Sequence, residues 1–194
     1  MTRFVLATAN AHKADEIRAV LGPLGYTLLE RPVHVREVEE TAATLEGNAL
    51  LKARALAEAT QDAALADDTG LFVDYLNGRP GVHSARYAGE HATYADNVAK
   101  LLGELDGVPA SARRATFRTV IAVVYPDGSE FWVEGALAGR ITELPRGEGG
   151  FGYDPVFVPD GADGQTLAEL SSEQKNALSH RALALRALAE GLVK

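Results

Sequence analysis

Two pairs of adjacent acidic residues, Asp67-Asp68 and Glu39-Glu40, could hold a divalent cation. Asp67-Asp68 follows a short apolar segment predicted to be a strand, and acids at a strand's end in an α/β sheet lie where ligands usually bind. Adjacent side chains of an extended chain point in opposite directions, so one of the two aspartates is expected to face a given ion. Because Mg²⁺ prefers carboxylate and water oxygens and shares its shell with substrate phosphates, one or two acids suffice, and Glu39-Glu40 could complete the site. Either pair alone would be explained as a solvated turn.

A short polar loop ending in a lysine precedes the first predicted helix. The start of a helix offers unpaired backbone N–H groups and the positive end of the helix dipole, so such a loop can cradle a phosphate. A capped helix with a surface lysine would also explain these residues. The loop consists of Thr8, Ala9, Asn10, Ala11, His12 and Lys13.

A glycine-rich segment, residues 149–155, carries two aromatic side chains and an acid. Glycine lets the backbone approach a ligand closely, and Phe151 could lie against a flat base. A hairpin-like turn with a core aromatic is the alternative interpretation.

Three basic residues, Lys175, His180 and Arg181, follow on the C-terminal helical stretch. Their spacing does not place them on one face of a helix. A break near Ser179, which could cap a following helix, would help them converge on a ligand. Without convergence they would form a solvated basic face.

Several familiar motifs can be set aside. Gly147, Gly149 and Gly152 match G-x-G-x-x-G, but Pro145 interrupts the approach and no helix is predicted to follow. Residues 36–40 resemble the core of the Nudix hydrolase helix, yet one residue is missing before the final acidic pair, which rotates those acids by about 100° around a helix. The sequence contains neither a P-loop nor a G-x-S-x-G motif.

The composition excludes further classes of site. The 194 residues include no cysteine, which excludes disulfides, thiolate zinc sites, iron–sulfur clusters and cysteine nucleophiles, and favours a reducing, cytoplasmic location. With 19 Lys and Arg against 27 Asp and Glu, the net charge of −8 argues against binding along a nucleic-acid backbone. A local cationic pocket is compatible with this charge, because salt screens charges beyond about 8 Å. No apolar run is long enough to span a bilayer, so no membrane partner is expected.

Alternating strands and helices must position these residues. Apolar spacing predicts helices from about residue 12 to 22, around 45–57, around 98–105 after Thr93, and near 180–192. Strands are predicted at residues 3–7, 26–30, 63–66 and 71–76, and a hairpin at 116–125 and 130–134. Helices interleaved with strands, followed by a hairpin, indicate one α/β domain over residues 1–194 with a mixed sheet.

Taken together, these segments resemble the inosine/xanthosine triphosphate pyrophosphatase family, which hydrolyses non-standard purine nucleotides. The resemblance spans nearly the whole chain, and several blocks in the family's order are far more specific than any one block. The departures are mild: Thr69 stands where serine is also usual, Ala9 where glycine is frequent, and Val82-His83 where an isoleucine-tyrosine pair is common. The matching blocks are residues 8–13, 39–41, 48–53, 66–71, 80–86, 149–155 and 175–181.

The resemblance implies an elongated mixed sheet flanked by helices, with two lobes around a central cleft, and a homodimer. It also implies Mg²⁺-dependent hydrolysis of ITP, dITP and XTP to the monophosphate and pyrophosphate by water attack on the α-phosphate, which keeps deaminated purines out of nucleic acids. Thr8 to Lys13 and Lys52 would hold the triphosphate, and Glu40 with Asp68 would hold Mg²⁺. Asp68 would also orient or deprotonate the attacking water. The other substrate-binding residues would be Thr69 and Arg86, with Phe151, Gly152, Tyr153, Asp154, Lys175, His180 and Arg181 around the base.

The choice of base follows from hydrogen-bond donors. Hypoxanthine and xanthine carry an oxygen at position 6, where adenine carries an amino group, so a buried donor would favour the first two by roughly tenfold to hundredfold per contact. Guanine shares that oxygen, and the sequence reveals no device that rejects it. Two other functions stay open: a Maf-like pyrophosphatase of pyrimidine or modified nucleotides, and a nucleotide-binding sensor without turnover.

Overall fold

The computed structural model describes residues 3–192, which form seven strands and five α-helices joined by loops and short 3₁₀ turns. The strands are β1 (Arg3–Leu6), β2 (Thr27–Leu29), β3 (Ala64–Val73), β4 (Pro80–Gly81), β5 (Arg114–Val124), β6 (Glu130–Ile141) and β7 (Phe157–Pro159). The helices are α1 (Ala11–Leu21), α2 (Leu45–Thr60), α3 (Tyr94–Glu104), α4 (Ser172–Leu178) and α5 (His180–Leu192). Of the helices in this part of the chain, none combines the length and apolar character that a bilayer crossing requires.

The seven strands join one mixed sheet. The strands β2, β1, β3, β5, β6 and β7 are neighbours in that order, and β4 pairs with β3. β1 runs parallel to β2 and β3, with Val5 opposite Leu29 and Ala64, whereas the β3–β4 and β6–β7 pairs are antiparallel. Parallel neighbours need a crossover connection, and α1 and α2 supply it between β1, β2 and β3. The predicted mixed α/β fold is therefore confirmed.

The chain packs into two compact units whose boundaries fall inside three strands. Unit 1 comprises Met1–Asp68, Thr119–Gly135 and His180–Lys194, and unit 2 comprises Thr69–Arg118 and Ala136–Ser179. β3, β5 and β6 therefore each contribute one end to each unit.

Unit 1 is built on an apolar core between its helices and strands. Ala14, Ile17 and Leu21 are buried at helical spacing on α1, and α5 contributes Leu185 and Leu188 to the same cluster. The side chain of Asn10 caps α1, and the Gly22-Pro23 pair opens a 3₁₀ turn where the helix ends. These contacts fix the start of α1 next to β1.

Unit 2 has its own core beneath α3. Thr93 and Asp96 form a capping box at the start of α3, as the sequence predicts for Thr93. Leu101 is buried on the inner face of α3 and packs in the same cluster as Phe117 and Phe157, whose rings meet edge to face at 4.7 Å. The aromatic pair joins β5 to β7 inside this unit.

One strand prediction is wrong. Residues 63–66 and 71–76 were expected to form separate strands with the aspartate pair between them, yet β3 runs unbroken from Ala64 to Val73, and Asp74–Leu76 is a 3₁₀ turn. Asp67 and Asp68 therefore lie within a strand rather than at its end. Cationic side chains surround them, as described below, and make this buried position tolerable.

Strand β6 passes unusually close to the beginning of α5 in unit 1. A Cβ atom on Gly135 would lie 2.2 Å from the carbonyl oxygen of His180 and 2.4 Å from the backbone nitrogen of Ala184. Only glycine allows this approach, which sets how closely the first turns of α5 lie to the sheet.

We expect Gly135→Ala to lower the free energy of unfolding by at least about 2 kcal/mol, because the added methyl group overlaps backbone atoms that cannot move aside. Urea denaturation measures this loss. Gly103→Ala is the matched control: Gly103 is exposed in α3 and its Cβ would meet nothing within 4 Å, so this change should stabilise by about 0.5 kcal/mol. Equal effects of the two substitutions would contradict the close approach.

Candidate active site

A buried cluster of charges lies around the two aspartates of β3 in unit 1. Asp67 is 2% exposed, and one of its oxygens, Oδ2, lies 3.1 Å from Lys13 Nζ. The guanidinium of Arg181 donates to the same oxygen, from Nη2 at 3.0 Å and from Nε at 3.2 Å. Asp67 thus joins the start of α1 to the start of α5.

Arg181 binds a second carboxylate, that of Glu16 on α1. Its guanidinium is therefore placed between two acids, and only 2% of the residue is exposed. Glu16 was missed by the sequence analysis, although its position three residues after Lys13 puts both side chains on the same face of α1. That spacing is the signal that would have found it.

Asp68 has a different set of partners, supplied by α2. Lys52 Nζ donates to Asp68 Oδ1 at 3.2 Å and to Glu40 Oε1 at 2.8 Å, so one ammonium joins the two acids predicted to hold a metal. Asn48 Nδ2 donates to Asp68 Oδ2 at 3.3 Å, and Asn48 Oδ1 accepts from the backbone of Ala42 at 2.9 Å. Asn48 and Lys52 are one helical turn apart, and the fully buried Asn48 ties the loop bearing Glu40 to the strand bearing Asp68.

The two adjacent aspartates have opposite pKa shifts. Burial works to raise the pKa of Asp67, but the charges of Lys13, Arg181 and Lys52 together outweigh burial and lower it below the ordinary value. Burial raises the pKa of Asp68; Lys52 opposes that effect, and Glu40 adds to it, so the net shift is upward. Asp67 is therefore held ionised, whereas Asp68 is poised to accept a proton.

The carboxylates of Glu40 and Asp68 have the chemistry that a divalent cation requires of its ligands. Both carboxylates contact the same ammonium, and their mutual repulsion contributes to the raised pKa of Asp68, which a divalent cation would relieve. Within residues 3–192, no group of three or more His, Asp or Glu side chains is arranged to hold a metal ion. A metal at this pair would take its other ligands from water and substrate, as Mg²⁺ commonly does.

The loop between β1 and α1 is ordered by its own polar side chains. Asn10 Oδ1 accepts from the backbone N–H groups of His12 at 3.0 Å and Lys13 at 3.4 Å, and Thr8 Oγ1 accepts from Asn10 N at 3.1 Å. The predicted capped helix is present. The phosphate cradle formed by Thr8 to Lys13 stays a prediction.

Unit 2 holds a second polar cluster, formed around Asp154. Asp154 Oδ2 accepts from Lys175 Nζ at 2.7 Å and from the backbone N–H of Phe151 at 2.8 Å. The ammonium of Lys175 also lies 4.6 Å from the centre of the Phe151 ring, and the ring of Tyr94 is 6.0 Å from that of Phe151. Asp154 thereby fixes both an aromatic ring and a cation next to it.

Glycines shape the backbone of this loop. Gly150 and Gly152 both have positive φ, and a Cβ on Gly150 would lie 2.2 Å from the Asp154 carboxylate. Tyr153 is buried and donates from its hydroxyl group to the carbonyl oxygen of Ser84 at 2.9 Å, and burial raises the pKa of that hydroxyl. Tyr153 therefore matches the core-aromatic alternative, while Phe151 is only half-buried.

The other predicted site residues have the following positions. His180 is buried in unit 1 with Nδ1 2.6 Å from Thr119 Oγ1. Thr69 is half-buried in β3 as the first residue of unit 2, and Arg86 Nε lies 3.8 Å from Glu90 Oε1. The predicted break at Ser179 is confirmed, since it separates α4 from α5. Lys175 contacts Asp154 in unit 2, whereas His180 and Arg181 contact residues of unit 1.

Comparisons with known proteins extend over both units. The sequence model of the Ham1 family matches residues 4–191. A dITP/XTP pyrophosphatase of Thermoanaerobacter sp. (strain X514) is 50% identical, over 99% of this chain and 97% of its own length. A HAM1 protein from Coxiella burnetii has a TM-score of 0.89 at 40% identity, covering 100% of this chain and 99% of that one. The Ham1 protein of Staphylococcus aureus has a TM-score of 0.86 at 38% identity, covering 99% of this chain and 98% of that one.

We expect Asp67→Asn to lower the free energy of unfolding by about 3 kcal/mol at pH 7, because the buried guanidinium of Arg181 and the ammonium of Lys13 would each lose a charged partner. Urea denaturation measures this change. The control is Asp15→Asn, whose side chain is 76% exposed and lies 3.4 Å from Arg18; it should change stability by less than about 0.5 kcal/mol. Equal losses in both variants would contradict the role of the buried network.

The stabilisation by Asp67 should depend on pH in a defined direction. Its pKa is lower in the folded state than in the unfolded chain, where it is about 3.9. Its contribution is therefore complete above the unfolded pKa and is lost as the pH falls towards the folded pKa. The difference between wild type and Asp67→Asn should be full at pH 7 and should shrink below about pH 4. A difference that stays constant down to pH 3 would contradict the lowered pKa.

Proposed function

Because this chain belongs to the Ham1 family, we propose that it hydrolyses dITP, XTP and ITP to the nucleoside monophosphate and pyrophosphate. One observation of the structure carries the proposal: two adjacent buried aspartates form ion pairs with two lysines, one of which also pairs with a third acid. Relatives named dITP/XTP pyrophosphatase that match end to end at about half identity support the choice of substrate. We treat residues 1–194 as one functional domain.

The triphosphate would be held in unit 1 by the loop from Thr8 to Lys13 and by Lys52. A lysine ammonium has three N–H donors. Lys52 uses two of them on Glu40 and Asp68, so a third is left for a phosphate oxygen without breaking either contact. Lys13 can likewise keep its contact with Asp67 while donating to a phosphate. The ion pairs of the cluster thus fix the lysines in place and leave them competent to bind substrate.

Glu40 and Asp68 would hold Mg²⁺, the metal implied by the family resemblance. When bound, the metal would neutralise phosphate charge and polarise the phosphorus centre. The ordered partners of both carboxylates, Lys52 and Asn48, hold them ready for such an ion.

Asp68 would act as the general base. Its oxygen accepts a proton from water as the water oxygen bonds to the α-phosphorus, and the bond from that phosphorus to the bridging oxygen breaks, releasing pyrophosphate. Asn48 and Lys52 each donate to the carboxylate of Asp68 and so orient it for this proton transfer. Asp67, which stays ionised, would anchor Lys13 and Arg181 during the reaction.

We assign the base to unit 2. Phe151 would lie against the purine ring, and the backbone of Gly152 and Tyr153 would meet its edge, with Asp154 and Lys175 fixing the loop. Thr69 and Arg86 stay proposed substrate contacts. His180 and Arg181 also stay proposed base contacts, although Arg181 contacts Asp67 and Glu16. A homodimer and a cytoplasmic location are further proposals that follow from the resemblance.

The test is turnover of a nucleotide panel. ITP, XTP, dITP, ATP, GTP and dTTP are incubated with the protein and Mg²⁺, and released pyrophosphate is measured. We expect the three deaminated purines to be hydrolysed at least about tenfold faster than ATP, because a buried donor matches the oxygen at position 6. Preference for dTTP would select the Maf-like alternative, and binding of ITP without product would select the sensor.

Asp68→Asn tests the general base. We expect kcat to fall by roughly 10²–10⁴-fold, because the amide cannot accept the proton of the attacking water. The free energy of unfolding at pH 7 should not fall, since a raised pKa means that ionised Asp68 destabilises the folded state. Asp74→Asn, at the exposed residue directly after β3, is the control and should keep the normal rate. A near-normal kcat in Asp68→Asn would remove Asp68 from this role.

A further inference from the structure

A cavity of about 300 Å³ lies in unit 1 beside the loop between β1 and α1. Its lining includes the loop residues Thr8 to Ala11 together with Arg18, Glu30 and Arg31. This volume is at the lower end of the range for small-ligand pockets. Neither Lys13 nor the carboxylates of the buried cluster belong to its lining, so the cavity presents a different set of side chains to the same loop.

Arg31 belongs to the lining of this cavity, and its guanidinium is incompletely paired. Its Nη1 is buried and has no hydrogen-bond partner among residues 3–192, and its Nη2 is 3.8 Å from Glu37 Oε1, the outer limit of an ion pair. A buried donor without a partner is unfavourable and points to a missing acceptor. Arg18, in contrast, donates to Asp15 at 3.4 Å and to Glu30 at 3.3 Å.

The charges of the buried cluster indicate what that acceptor is. The cluster contains four acids, Glu16, Glu40, Asp67 and Asp68, and its three cations, Lys13, Lys52 and Arg181, each contact at least one of them. The net charge of the cluster is therefore 3 − 4 = −1, or +1 with one Mg²⁺ bound, so most of the roughly four negative charges of a triphosphate would stay unbalanced. A guanidinium outside the cluster and next to the phosphate loop would supply the missing charge, and its fork of donors suits phosphate oxygens.

We propose that this cavity receives the two distal phosphates of the substrate, which leave as pyrophosphate, and that Arg31 binds them. The inference rests on the proposed function, because it assigns the loop from Thr8 to Lys13 to the triphosphate. It adds a residue outside the segments that carry the family resemblance. Arg31 binds the leaving group rather than the base or the α-phosphate.

The test compares pyrophosphate with the nucleoside monophosphate product. Binding of inorganic pyrophosphate and of IMP to the Mg²⁺-loaded protein is measured by isothermal titration calorimetry for wild type, Arg31→Gln and Arg36→Gln. Arg31→Gln should raise the Kd for pyrophosphate about tenfold, the loss of a charge-assisted hydrogen bond. It should leave the Kd for IMP unchanged, because IMP has no distal phosphates. Arg36, exposed in the same loop and outside the cavity lining, is the matched control and should change neither.

Two further measurements keep the outcomes distinct. Arg31→Lys should recover part of the pyrophosphate affinity, since the charge is kept and the forked geometry is lost. An unchanged pyrophosphate Kd in Arg31→Gln, or an equal weakening of IMP, overturns the inference. The inference is also overturned if orthophosphate binds as tightly as pyrophosphate and its binding depends equally on Arg31. Failure of the wild type to hydrolyse ITP would refute the proposed function, whereas the pyrophosphate titration decides the role of Arg31 without turnover.

Discussion

Two adjacent carboxylates inside a strand are tolerated only when opposite charge reaches both of them, because a buried charge without a partner is costly. In this protein α1 and α5 supply Lys13 and Arg181 to Asp67, and α2 supplies Lys52 to Asp68. The positions of three helices in unit 1 are therefore constrained by electrostatics as well as by their apolar faces. The full burial of Asn48 is accommodated in the same way, because its side chain donates to Asp68 and accepts from the backbone of Ala42.

The same arrangement shifts the pKa values of two chemically identical side chains, Asp67 and Asp68, in opposite directions. Alternation along β3 turns neighbouring residues to different surroundings, so Asp67 meets two cations and Asp68 meets one cation and a second acid. Ionisation of Asp67 therefore stabilises the folded state, whereas ionisation of Asp68 destabilises it. Two carboxylates with opposite pKa shifts thus arise from consecutive residues of one strand.

Much of this organisation could be predicted from the sequence. Periodic apolar residues gave α1, α3 and α5, and the ordered motifs pointed to Lys13, Lys52, Glu40 and Asp68, which the structure links through Asp67 and shared ion pairs. The continuity of β3 could not be predicted, because two adjacent acids normally indicate a solvated turn and their neutralising cations are distant in the chain. The contact between Arg181 and Glu16 could not be predicted for a related reason, because Glu16 lies 165 positions away in the chain.

The failures of local sequence rules coincide with the candidate site, which is itself an argument about function. Three features conflict with ordinary residue preferences: two adjacent acids inside a continuous strand, a fully buried asparagine, and a guanidinium held between two acids. Such conflicts persist where a compensating gain exists, and here the compensation is local and mutual, because each acid of the cluster forms an ion pair with a lysine or an arginine. A net charge of −8 would not reveal this, since the cluster is nearly balanced within itself. The overall charge of the chain therefore says little about the local charge at the candidate site.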